Sequence, residues 1–234
     1  MSEPKTMITT YIGVYTHCQN SGKTFVSVQL TDAIARLGHM AYLIDGDKAN
    51  ANKAGTSFTL LQKKPRRHCH FNYGLVDDWD QHGYCEFAIF DTSRKPTEMD
   101  ESSMREDCAL VIIPAMVDPE NDPNEKSLED ALAAVWSMQD ASVNAVVLPI
   151  LRNGGTRSKV EAHLKGARSH ILRNMVQDEP LAAALLNRGD LLVDCDQGDE
   201  TAAQEAEERF DALAAEVLSI VKSSMNVVEL AESA

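Results

Sequence analysis

The sequence predicts an α/β protein built on a doubly wound, mostly parallel sheet flanked by helices, and three observations carry that expectation. Apolar runs of strand length recur at residues 7–15, 41–45, 85–92, 107–114 and 143–150. Segments with helical spacing lie between several of them, and parallel strands covered on both faces read as such continuous runs. Gly22-Lys23-Thr24 stands between the first run and the first helical segment, where a loop opening onto a helix N-terminus favours bound anions. With 234 residues, 44% of them apolar, one core and a single domain spanning residues 1–234 are expected.

Taken in order, Met7 to Tyr15 is β-branched and aromatic, suited to a strand. After Thr24, apolar residues at Val26, Leu30, Ala33, Ile34 and Leu37 mark one helical face, and Gly38 fits a C-terminal cap. Ala41 to Asp45 reads as a buried strand that delivers Asp45 and Asp47 at its C-terminal end, the ligand-binding edge of an open parallel sheet. Residues 48–83 show the least regularity, and an exposed loop or helix connection is expected there. Within it, His68, Cys69 and His70, with His82 and Cys85, make a conceivable zinc set, although their spacing fits no standard closed site.

Cys85 to Thr92 is a further strand ending in an acid, and Asp107 to Pro114 one that the proline is expected to stop. A loop rich in Asp, Asn and Pro follows at 119–126. Leu128, Leu132, Val135 and Trp136 mark the next helix face, and Val143 to Ile150 another strand. Arg152, Arg157, Lys159, Lys165, Arg168 and Arg173 then reverse the charge balance; a solvated helix face is the simpler account, a contact to a phosphate backbone the other. Residues 199–222 predict an acidic amphipathic helix burying Phe210, Leu213, Val217 and Val221.

The net charge of -14 excludes a surface that is basic throughout, so nucleic-acid contact has to come from a local patch or a partner. The five cysteines contain no C-x-x-C pair and no leader pattern stands before them, so reduced thiols in a cytoplasm are expected. No apolar run approaches the ~18 residues that span a bilayer. Near the C-terminus, Val227, Val228 and Leu230 are accompanied by Glu229 and Glu232 rather than lysines, so no membrane binding is expected.

His17 to Thr24 is read as a phosphate-binding loop. In the form G-x-x-x-x-G-K-[ST], backbone N–H groups curl around phosphate oxygens, the lysine neutralises them and the hydroxyl ligates Mg²⁺. Here the ending is complete and His17 occupies the first glycine position.

The order of these signals resembles the ParA/MinD family of deviant P-loop ATPases over nearly the whole chain. Gly22-Lys23-Thr24 match the end of its K-G-G-x-G-K-[ST] loop, while Cys18, Gln19 and Asn20 stand at its signature lysine and two glycines. Leu43 to Asp47 is similar to its strand leading to D-x-D, Phe87 to Thr92 to its strand ending in D-T, and Asp107 to Pro114 to its A-D-L-V-L-I-P strand. Pro180 to Asp190 looks like its helix and glycine before the C-terminal helix, whereas Val176-Gln177-Asp178 replaces the family's V-I-P segment beside the adenine and leaves base preference open.

The resemblance implies a cytoplasmic switch that dimerises on ATP and Mg²⁺ and works with a separate DNA-binding adaptor in plasmid stability, partition or conjugative transfer. Non-specific DNA contact would fall to Arg152 through Arg173. It implies that Asn20, Ser21, Gly22, Lys23, Thr24 and Phe25 hold the nucleotide, with Lys23 on the β- and γ-phosphates. Thr24 would ligate Mg²⁺, Asp91 would hold it through water, and Asp47 would help position the attacking water. Cys18 cannot supply the charge that the signature lysine carries to the partner's nucleotide, and Lys48, Arg94 and Lys95 lie beside the motif acids as candidate replacements. A pseudo-ATPase scaffold that binds nucleotide without turnover is the alternative. A small-molecule ligase or kinase would need substrate-binding side chains near Asp91, and no distinctive set stands there.

Overall fold

The computed structural model describes residues 9–16, 21–47, 57–62, 71–75, 85–93, 96, 98–122, 125–163, 171–177, 191–192 and 200–232. In chain order its elements are β1 (Thr10–Val14), α1 (Lys23–Arg36), β2 (Ala41–Asp45), α2 (Ser57–Leu61), β3 (Asn72–Leu75), β4 (Phe87–Asp91) and α3 (Glu98–Asp107). They continue with β5 (Cys108–Val117), α4 (Lys126–Asp140), β6 (Ala145–Leu151), α5 (Arg157–His163), β7 (Val176–Gln177) and the long α6 (Glu200–Glu232). Among the described residues seven strands form one sheet in the order β3-β2-β4-β1-β5-β6-β7, and every pairing between them is parallel.

Alternation along the strands divides the core into two layers. Ile12 and Val14 of β1 pack with α1 and with Phe210, Leu213, Val217 and Val221 of α6 on one face. Tyr15, Val111, Ile113 and Val147 pack with Met104 of α3 and Leu128, Leu132 and Val135 of α4 on the other. The amphipathic reading of α6 therefore holds, as does the cap at Gly38, whose φ is 92°. Between α1 and α6, the Arg36 guanidinium binds Asp32 on its own helix and Asp211 at 2.7 Å on the other.

Three expectations need correction. The stretch 48–83 contains strand β3, paired to β2 from Tyr42↔Asn72 to Asp45↔Leu75. It sits at the sheet edge and includes exposed Asn72 and a glycine, so it carries no apolar run to betray it. Pro114 does not stop β5, which continues to Val117 beside β6. Ile112 accepts the Tyr15 N–H on its β1 side, and alternation turns the Pro114 nitrogen to that same side, where β1 has already ended and no donor is required. Trp136 is 51% exposed and leaves Leu128, Leu132 and Val135 to bury the α4 face.

None of the described helices is long and apolar enough to cross a membrane. His68, Cys69, His70 and His82 lie outside the described residues, and no described group of three or more His, Cys, Asp or Glu side chains could hold a metal ion. Cys85 and Cys108 are free thiols; burial pushes the Cys108 thiol up to about 12, so it stays protonated and unreactive.

Candidate functional site

The C-terminal ends of β1, β2 and β4 meet at the start of α1, and register decides what they present. Parallel pairing sets Val14 level with Asp91 on one side of β4 and Asp45 level with Asp91 on the other. The two carboxylates thus emerge side by side where the sheet hands over to loops. Each is almost fully covered, Asp45 at 1% and Asp91 at 3% exposure.

Gly22 begins α1 in the left-handed conformation, φ 82° and ψ 10°. A Cβ there would lie 2.8 Å from Ile150 Cδ1, so the start of α1 rests directly on β6, the strand beyond β5. Val26 is the first residue to close a helical hydrogen bond onto the Gly22 carbonyl, at 2.9 Å. The N–H groups of Lys23, Thr24 and Phe25 precede it, which is the donor-rich helix start that accommodates anions. Gly22→Ala is expected to cost about 1–2 kcal/mol for the left-handed backbone alone, before Ile150 is displaced, read as a lower urea midpoint.

Lys23 is 7% exposed, and its Nζ donates to the Thr16 carbonyl at 3.1 Å. The Thr24 hydroxyl lies close enough to Asp91 to favour its charged form, and Ser27, one turn further along α1, donates to Asp91 Oδ1 at 3.2 Å. Burial first, then the Asp45 charge, push the Asp91 carboxyl up to about 7, against the lowering effect of the Ser57 and Thr24 hydroxyls and of Lys23. A carboxylate held in so dry and negative a place is poised to accept a cation. Mg²⁺ suits it, because that ion commonly takes one or two protein oxygens and fills its remaining positions with phosphate oxygens and water.

The structure therefore brings Lys23, Thr24 and Asp91 together. Ser21 is buried beside them, and its Oγ has no hydrogen-bond partner among the described residues, an orphaned group of the kind a phosphate oxygen would satisfy. The side chain of Phe25 packs edge-on against Phe210, ring centroids 5.6 Å apart at 76°, so a role in holding ligand would fall to its backbone N–H. Asp47 is covered, and its N–H binds Asp45 Oδ1 at 2.9 Å. Thr92 of the D-T pair clips β4 to β1 through the Val14 carbonyl at 2.9 Å. His17, Cys18, Gln19 and Asn20 of the loop lie outside the described residues, as do Lys48, Arg94 and Lys95.

Sequence reasoning missed Ser27 and Ser57. Ser27 follows Thr24 at a spacing of three, which puts both hydroxyls on one helix face, a signal open to sequence once Asp91 is suspected. Ser57 sits on α2, inside the irregular stretch, and carries no local signal; its hydroxyl lowers the Asp91 carboxyl but makes no hydrogen bond of normal geometry among the described residues. Of the basic segment, Arg152, Arg157, Lys159 and Arg173 are exposed, while Lys165 and Arg168 lie outside the described residues.

Comparison with solved structures decides the architecture. The MinD cell division protein of Aquifex aeolicus superposes with a TM-score of 0.61 at 17% identity, covering 90% of this chain and 97% of that one. The fold is that of the ParA/MinD-type P-loop ATPases. The septum site-determining protein MinD of Pyrococcus horikoshii OT3, complexed with Mg-ADP, has a TM-score of 0.59 at 14% identity over 90% of this chain and 96% of that one. A plasmid partition protein of Borrelia burgdorferi has 0.54 at 9% identity over 91% and 100%. No protein-family model and no curated sequence matches the chain.

Proposed function

We propose that this chain is a ParA-like ATP-binding switch of the cytoplasm that positions or segregates DNA through nucleotide-dependent dimerisation, with a separate DNA-binding adaptor. The observation that carries the reading is the convergence of Lys23, Thr24 and Asp91 at the start of α1, within a fold shared with MinD and plasmid partition proteins.

In this reading Ser21, Gly22, Lys23 and the N–H groups through Phe25 cradle the phosphates of ATP, joined by Asn20. Lys23 leaves the Thr16 carbonyl to neutralise the β- and γ-phosphates. Thr24 would ligate Mg²⁺, Asp91 would hold it through water, and Asp47 would orient the attacking water. The bound ion supplies charge neutralisation, which with positioning is most of what phosphoryl transfer requires. The exposed cations from Arg152 to Arg173 provide non-specific contact to DNA. Cys18 favours a second reading, a scaffold that binds nucleotide without efficient turnover, because no cation stands at that position.

Titration with Mg-ATP and Mg-ADP, with dimerisation followed by sedimentation, tests the proposal. Lys23→Ala is expected to lower affinity for ATP at least tenfold, in keeping with the loss of a charge-assisted phosphate contact, and to abolish dimerisation. Unchanged binding and unchanged dimerisation in that variant would sink it. Release of phosphate by the wild type with DNA and adaptor separates a switch that turns over from a scaffold.

A further inference from the structure

The turn that follows β6 is held by the strand beside it. Arg152 donates its N–H to the Val117 carbonyl at 3.0 Å, and Gly155 donates to the Arg152 carbonyl at 2.7 Å. Asn153 and Gly154 are both left-handed, with φ of 43° and 78°. A Cβ at Gly155 would come within 2.4 Å of the Val117 carbonyl oxygen, so the turn lies flat on the end of β5.

The next residue of that strand end, Asp118, is covered, and both its carboxylate oxygens accept the Asn153 side-chain amide at 3.1 Å. The same carboxylate accepts the Asn121 side-chain amide at 2.8 Å and its backbone N–H at 3.2 Å. The Asn121 and Asn153 amides hold the Asp118 carboxyl below its usual range, against the opposing effect of burial, so it acts as an ionised anchor at neutral pH.

What the anchor shapes lies next to the phosphate loop. Gly22 rests on Ile150, and the following residue, Leu151, opens a groove of about 660 Å³. Gly155, Thr156 and Arg157 form one wall of it, with Gln177 and Arg209 opposite. A ligand whose phosphates sit at the start of α1 and whose body runs along the C-terminal edge of the sheet enters this groove.

Resting on the nucleotide reading above, we infer that Asp118 is a positioning residue that fixes, through Asn153, the turn walling the base side of the nucleotide site. The phosphates are gripped by Lys23 and the helix start, independently of this turn. Base and ribose depend on the wall. Releasing the anchor therefore weakens the nucleoside end of a ligand and spares the phosphate end.

The test compares Mg-ATP with inorganic tripolyphosphate plus Mg²⁺, titrated into the full chain as wild type, Asp118→Ala and Asn153→Gly. Glycine at 153 keeps the left-handed backbone and removes only the amide, so it carries the test if Asp118→Ala fails to fold. Expected is a Kd for Mg-ATP raised about tenfold in both variants, with tripolyphosphate moved less than about twofold, the size associated with losing charge-assisted hydrogen bonds that fix one wall. Equal shifts for the two ligands, or no shift for Mg-ATP, overturn the inference while leaving nucleotide binding intact. A wild type that binds neither ligand overturns the nucleotide reading itself.

Discussion

Asp91→Asn is expected to raise the melting temperature of the nucleotide-free protein at pH 8 by about 8–16 °C while removing Mg²⁺-dependent nucleotide binding. The folded protein holds the Asp91 carboxyl up at about 7, whereas its ordinary value is 3.8. The folded state thus keeps a proton that the unfolded chain has lost, and stability contributed by this group is full below about pH 4 and drains away as pH rises toward 7. Above 7 the whole penalty is present, on the order of 4 kcal/mol at 1.36 kcal/mol per unit. Asparagine carries no such penalty, so the two proteins should melt together near pH 4 and diverge through neutrality. An asparagine variant that melts no higher than wild type at pH 8 rules out a carboxylate strained by burial and by Asp45. The same residue then answers to two demands, since the charge that costs stability in the empty site is the one a cation would need.

Phe210→Ala is expected to cost about 3–5 kcal/mol in urea denaturation, the range for a large aromatic removed from a packed core. Phe210 is 1% exposed and closes the α1–α6 contact on Phe25, the residue after Thr24. The void therefore opens behind the start of α1 as well as beneath α6, and under the proposed function Mg-ATP affinity should fall together with stability. A loss under about 1 kcal/mol means that α6 repacks freely and that Phe25 does not take its position from it.

The strands on which the site depends were legible because their neighbours cover both faces. β1, β2, β4, β5 and β6 are written as unbroken apolar runs, and their C-terminal acids Asp45 and Asp91 stand out against them. β3 was not legible, since an edge strand as short as Asn72–Leu75 needs little apolar surface. Pro114 misled because a proline ends a strand only where its nitrogen is required to donate, and that depends on where β1 stops. In the site, Lys23, Thr24 and Asp91 could be read from motif order. Ser57 could not, and neither could the bond between Asp118 and Asn153, which joins residues 35 apart in sequence. Such contacts are created by strand order, which local pattern does not encode.

The hydrogen bond from Lys23 to the Thr16 carbonyl changes what ligand capture means for this chain. A nearly buried ammonium cannot wait unsolvated for a phosphate, and the end of its own β1 strand gives it a resident acceptor. In the proposed nucleotide site an incoming phosphate would have to compete with that acceptor, so its affinity would be a difference between phosphate and the resident partners of the lysine. Ligands with too little negative charge at the right place leave the lysine where it is. Under the proposed function, binding at this loop would be an exchange of acceptors, with discrimination against weak anions set by the resident bond of Lys23.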